Sequence, residues 1–230
     1  MARKLFSSFY DIWSRHEAVY SNLFKEALIL LAKKDRLNGD EDALCELLCP
    51  ILNRLCFEKG KNGGCEVQVP SWERPIHPVS NGELTGGKIR KRPDFTCTLV
   101  NSFALTEEDY EIPLHIECKR LGMKTSSSWI LNENYVKNGI FRFDSGVHRY
   151  GNRAPSGVMI GFITSMDQNK IESEVNKFIS KLSEAKDTLS FSFYGENLFT
   201  SIQVWNRKTL APRDFKLIHY WIDMRKSYVS

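Results

Sequence analysis

Residues 157 to 164, Gly-Val-Met-Ile-Gly-Phe-Ile-Thr, run apolar without the polar alternation of a half-exposed strand. A run of this length and pattern reads as a strand buried on both faces, so the sheet that holds it needs cover on two sides. Amphipathic segments that can supply such cover lie at both ends of the chain. Residues 6 to 34 place Phe9, Trp13, His16, Tyr20, Leu23, Phe24, Ala27 and Leu31 at helical spacing. Residues 40 to 58 do the same with Leu44, Leu47, Leu48, Ile51, Leu52 and Leu55, with Pro50 in the middle predicting a kink or break. Residues 167 to 186 repeat the pattern through Ile171, Val175, Phe178, Ile179 and Leu182. These features predict an α/β fold in which a central sheet is flanked by helices.

Between the first two helices and the apolar run, strands are predicted over 65 to 70, 94 to 100 and 110 to 120, and a helix within 126 to 143. Strands over 198 to 205 and 215 to 223 follow the last helix. The strand at 94 opens on Arg92-Pro93-Asp94-Phe95, and the strand at 110 closes on Glu117-Cys118-Lys119. Side chains alternate along a strand, so Glu117 and Lys119 share one face and Cys118 takes the other. If the two strands are neighbours, Asp94 joins Glu117 and Lys119 in one cluster. Two carboxylates suit Mg²⁺ or Mn²⁺, and a nearby Lys can orient or activate a water. Such a set can hydrolyse a phosphodiester.

The Pro93-Asp94 and Glu117-Cys118-Lys119 motifs, in the order helix, strand, strand, strand, helix, strand from 40 to 164, resemble the PD-(D/E)XK nuclease superfamily. The resemblance implies a restriction-endonuclease-like αβββαβ core with a mixed sheet over residues 39 to 230, preceded by a helical extension over 1 to 38. It further implies that Asp94 and Glu117 bind Mg²⁺ or Mn²⁺ with the main-chain carbonyl of Cys118, and that Lys119 orients the attacking water. Family members often add a Glu from the helix before the first core strand. Among Asp40, Glu41, Asp42 and Glu46, helical geometry brings Glu41 nearest the apolar face, so Glu41 is the expected fourth residue. The competing reading gives all four acids to the helix N-terminus, where its dipole favours negative charge.

Tyr135 and Arg142 fall where family members place phosphate-contacting groups. Lys88, Arg90, Lys91 and Arg92 lead into the site, and Arg120 and Lys124 leave it, as a groove tracking a phosphate backbone would require. A solvated loop is the ordinary alternative for the first cluster. The net charge of +4 permits a polyanionic partner without requiring one. The six cysteines show no CxxC and read as buried reduced thiols rather than zinc ligands. No apolar stretch has the length of a membrane span, and the N-terminus lacks a signal-peptide core, which predicts a cytoplasmic protein.

The expected activity is metal-dependent cleavage of nucleic acid, most naturally DNA. With no sequence-reading module in view, the substrate is expected to be chosen by a protein partner such as an ATPase or helicase subunit. Fold analogy points to prokaryotic antiviral defence or restriction. The aromatic stripe of residues 6 to 34 is the candidate docking surface. A catalytically silent scaffold of the same fold, or a DNA-repair nuclease, are the alternatives. An RNA substrate is compatible with the chemistry.

Overall fold

The structure, a computed structural model of the chain, describes residues 2–61, 67–76, 91–182 and 187–229, with side chains from residue 9 onward. Two helices come first, α1 (Ala2–Ala32) and α2 (Glu41–Lys61). Strands β1 (Ser71–Trp72), β2 (Phe95–Val100) and β3 (Glu111–Leu121) follow, then helix α3 (Leu131–Lys137) and strand β4 (Ser156–Ile163). Helix α4 (Gln168–Leu182) leads into β5 (Ser192–Gly195), β6 (Leu198–Asn206) and β7 (Asp214–Asp223). Among the described residues the strands form one seven-stranded mixed sheet in the order β1-β2-β3-β4-β7-β6-β5. Strands β3, β4 and β7 run parallel, and the outer neighbours pair antiparallel.

Each face of the sheet carries its own core. On one, Trp13, Leu23, Phe24, Leu44, Leu48 and Leu52 of α1 and α2 meet Phe95, Ile116, Ile160 and Ile222. On the other, Tyr135, Val136, Ile171, Val175 and Ile179 of α3 and α4 meet Leu121, Met159, Ile163 and Trp221. Strand β4, with all its residues buried, lies between the two cores as its unbroken apolar run predicts. The α/β class and the element order from α2 to β4 are those expected.

Several expectations need correction. The aromatic stripe of α1 is not a docking surface: Trp13, Tyr20 and Phe24 are buried in the first core, and among the α1 aromatics with described side chains Tyr10 is the exposed one. Helix α2 continues through Pro50, which faces solvent, so no break forms there. Residues 67 to 70 carry no strand pairing; the first strand is Ser71–Trp72, just past Pro70, whose ring nitrogen has no hydrogen to give a ladder. Within 126 to 143 the helix is only Leu131–Lys137, ending at Asn138 before a 3₁₀ turn at Ile140–Phe143. Strand β5 was not foreseen, because its four residues are largely exposed and show no alternation. No helix among the described residues is long and apolar enough to cross a membrane.

Candidate active site

The site forms where β2 and β3 part. Their antiparallel pairing ends at Phe95 opposite Ile116, while β3 runs on to Leu121 beside β4. Among the described residues, β3 from Glu117 onward therefore has one edge without a strand partner, and its main-chain groups there need others. Side chains supply them. The Asp94 carboxylate accepts from the Cys118 N–H, in place of the ladder that β2 no longer provides. Glu41 Oε2 accepts from the Arg120 N–H at 3.3 Å. The Cys118 carbonyl accepts from Lys119 Nζ at 2.7 Å.

Glu41 reaches this edge because of how α2 begins. Gly39 adopts φ +97°, and a Cβ there would stand 2.7 Å from the Ala43 Cβ. Asp40 then caps the helix, its Oδ1 accepting from the Ala43 N–H at 3.1 Å. Capping thus falls to Asp40, which leaves Glu41 to face β3, while Asp42 and Glu46 point to solvent. Lys119 Nζ lies 3.0 Å from Glu41 Oε1 and 2.8 Å from Glu117 Oε1. Arg142, from the 3₁₀ turn after α3, also donates to Glu117 Oε1.

Three carboxylates and two cations thus meet in a mostly buried space, and their ionisation reflects it. Burial pushes Glu117 up to about 8, with the negative charge of Asp94 adding to it against the pull of Lys119 and Arg142. Burial likewise raises Asp94 to about 6, although Lys119 and the Cys118 N–H favour its charged form. Burial by itself would lower Lys119, yet Glu117, Glu41 and Asp94 together hold it above the usual ammonium range. The ammonium is one of the two cations of this cluster, seated among oxygens of Glu41, Glu117 and Cys118.

The donor set fits a hard divalent ion. Asp94, Glu117 and the Cys118 carbonyl offer oxygens from adjoining positions, and Glu117 Oε2 is buried without a hydrogen-bond partner. A buried carboxylate oxygen with no donor beside it is what a metal would satisfy. One ligand atom each of Cys45, Asp94 and Cys118 also lie within 4.8 Å of one another. Burial, followed by the hydrogen bond with Cys45, keeps Cys118 well above the ordinary thiol range. These sulfurs stay protonated and serve the apolar core, as the parity of the strand predicts.

The remaining expected contacts divide. Arg142 sits at the site, held by Glu117, with its guanidinium 5.9 Å from the Tyr150 ring centre. Arg92 is exposed at the entrance, its carbonyl accepting from the Tyr150 hydroxyl at 2.6 Å. Arg120 projects to the α2 side of the sheet, where Nη1 donates to the Gly39 carbonyl at 3.2 Å and the Tyr228 hydroxyl at 3.3 Å. It braces the start of α2 instead of facing the groove. Tyr135 is wholly buried, with its hydroxyl 2.8 Å from His219 Nδ1 and its ring edge-on to Trp221. It belongs to the second core, and no phosphate reaches it. Cys65, Lys88 and Arg90 lie outside the described residues.

Two further residues, Tyr150 and Arg207, matter to the arrangement. Tyr150 stands between Arg142 and the Arg92 carbonyl, tying the loop before β4 to the approach of Asp94. Buried Arg207 gathers the carbonyls of Phe143, Gly151 and Pro212, fixing the segment that carries Arg142 and Tyr150. The His-Arg-Tyr sequence at 148 to 150 was a visible signal for the first; an Arg at the end of β6 gave none for the second. Comparisons with protein-family models, curated proteins and solved structures find no match to this chain.

Proposed function

We propose that this protein is a metal-dependent nuclease of the PD-(D/E)XK type, acting on nucleic acid and most naturally on DNA. The observation that carries the reading is the convergence of Glu41, Asp94, Glu117 and Lys119 on the open edge of β3, with one carboxylate oxygen of Glu117 lacking a partner. Asp94, Glu117 and the Cys118 carbonyl would hold Mg²⁺ or Mn²⁺. Bound there, the ion supplies Lewis-acid polarisation of a phosphate and a water of lowered pKa.

The chain's own groups do the rest. Lys119 remains protonated through the physiological range, so it acts as a fixed positive charge and hydrogen-bond donor to a water or a phosphoryl oxygen. Glu41 holds that ammonium from the far side and limits its swing. Arg142 can place its guanidinium against phosphate oxygens once its contact with Glu117 loosens. No nucleophilic side chain is required, since water attacks directly.

Cytoplasmic defence or restriction, with an ATPase or helicase partner choosing the substrate, is the setting we propose by analogy of fold and chemistry. The test is incubation of wild type and Asp94→Asn proteins with linear, circular and single-stranded DNA and RNA in Mg²⁺, Mn²⁺ or EDTA. Asparagine can still accept from the Cys118 N–H, so the variant keeps the local fold. Cleavage by wild type in metal, lost in EDTA and in the variant, is the expected result. Equal cleavage by both proteins refutes the assignment.

A further inference from the structure

Lys119 and Arg142 meet the same atom, Glu117 Oε1, but they are not held alike. The ammonium has three hydrogens and three acceptors: Glu117 Oε1 at 2.8 Å, Glu41 Oε1 at 3.0 Å and the Cys118 carbonyl at 2.7 Å. Each of its hydrogens has a place. The guanidinium has five, and among the described residues Glu117 is the one acceptor it meets. Its Nε is buried without a partner. A buried donor left unmet costs free energy, so Arg142 gains from an arrangement that adds acceptors. Its side chain is 27 % exposed against 10 % for Lys119, so it is also the freer of the two to move.

The surroundings of Arg142 have two signs. Towards β3, its positive charge acts on the carboxyls of Glu117 and Asp94. Away from them lies His148, held down to about 4 by burial and then by the charges of Lys91 and Arg142. The Tyr150 ring, 5.9 Å from the guanidinium, gives it an aromatic face to rest beside on leaving Glu117. A divalent ion on Asp94 and Glu117 draws on the carboxylate that Arg142 holds and repels its charge, and the less tethered cation yields. Charge counting agrees. With Glu41, Asp94 and Glu117 ionised, Lys119 and Arg142 leave the cluster with one negative charge. A divalent ion turns that into one positive charge, and one phosphodiester group cancels it.

We propose that Arg142 couples the two ligands of this site: it competes with the divalent ion for Glu117, and when the ion takes that carboxylate the guanidinium turns to a phosphoryl oxygen of the nucleic acid, so that each ligand tightens the other. The coupling rests on the nuclease reading for the ion at Asp94 and Glu117. Parting Arg142 from Glu117 weakens whichever ligand binds first, and the second meets a guanidinium already released. Linkage makes the effect equal in both directions.

The first measurement is calorimetric titration with Mn²⁺ in the absence of nucleic acid. Arg142→Gln and Arg142→Met should bind Mn²⁺ about tenfold more tightly than wild type, and Arg142→Lys, which keeps the charge, should stay close to wild type. A purely structural role for Arg142 predicts the opposite sign or no change. Retained circular dichroism shows that the variants fold, and Glu117→Gln should lose Mn²⁺ binding, which ties the titration to this carboxylate. The second arm repeats the titration with an oligothymidylate in which methylene replaces each bridging 3′-oxygen, so that the negative charges stay and that oxygen cannot leave. The probe should tighten Mn²⁺ binding about tenfold more in wild type than in Arg142→Gln, the remainder in the variant being direct attraction between ion and phosphate. Equal Mn²⁺ affinity in wild type and Arg142→Gln, or an equal effect of the probe in both, overturns the coupling and leaves the nuclease reading standing. Wild type that binds no Mn²⁺, or Glu117→Gln that binds it as well as wild type, overturns both. The stated pattern in a protein that cleaves no natural oligonucleotide upholds the coupling and removes the catalytic reading.

Discussion

β3 and β4 lie side by side in parallel register, both deep in the molecule, and they use burial in opposite ways. Along β4 every residue is buried, and hardly a polar group accompanies them. Its partner places Glu117 opposite Met159 and Lys119 opposite Gly161, so two charged side chains face the interior one strand away. Gly161 shows how tightly the apolar strand is set: a Cβ there would come within 2.4 Å of Leu121 and 2.5 Å of Trp221. β4 gains stability from the apolar area it removes from water. β3 gives some up, because desolvating carboxylates and an ammonium costs more than their mutual attraction returns unless geometry and hydrogen bonding are complete. The unpartnered Glu117 oxygen shows that they are not complete. Two strands of similar burial therefore differ in what they bury, and the charge-bearing one carries the candidate site.

The contrast can be broken most severely at Lys119. Lys119→Met removes the cation shared by Glu41 and Glu117 and leaves buried carboxylates facing each other. Stability should fall by about 3–5 kcal/mol in a denaturant titration, and cleavage should cease. Ile160→Ala in β4 should cost about 2–5 kcal/mol through the cavity it leaves, yet the cleavage rate per folded molecule should hold. Equal loss of activity per folded molecule in the two variants would erase the distinction between the strands.

A gentler change sharpens it. Glu117→Gln should abolish cleavage while raising the melting temperature of metal-free protein near pH 8, the reverse of its effect on function. The pH dependence follows from the same residue. Glu117 ionises near 8 in the folded chain against an ordinary 4.5, so between those values the folded state holds a proton that the unfolded state has released. Stability in EDTA should therefore fall as pH rises from about 5 to about 8. Asp94, raised to about 6, adds to the lower part of that range. Unfolding midpoints in urea at both pH values check this, and Glu117→Gln should flatten the slope. The smallest effect belongs to Arg92, exposed at the entrance. Arg92→Ala should weaken nucleic-acid binding modestly and reduce the salt dependence by about one phosphate contact, as read from log Kd against log salt concentration.

What could be read from the sequence follows the same division. Strand β4 was legible because a continuous apolar run has one economical interpretation. Glu117 and Lys119 were legible because strand parity is rigid, and Glu41 could be chosen from four acids because a helix turns by a fixed angle per residue. Tyr135 was misplaced since its neighbourhood in sequence is polar, while its burial comes from β7, through His219 and Trp221, over eighty residues away. Arg120 was misassigned for a similar reason: its partners, Gly39 and Tyr228, lie 81 and 108 residues away. Contacts set by periodicity were accessible; contacts set by where distant segments return were not.

The link between Leu37 and the last strand's tail has a consequence for timing. The Leu37 N–H donates to the Ser227 carbonyl at 2.8 Å, the Val229 N–H returns to the Leu37 carbonyl at 2.6 Å, and the Tyr228 hydroxyl donates to the Gly39 carbonyl. These bonds clasp the turn from which Glu41 departs. On the ribosome, the turn that aims Glu41 is thus clasped by a residue made 189 positions after it. A nascent chain can build its sheet and bury its aromatic helix while the charged cluster at β3 is still without that clasp.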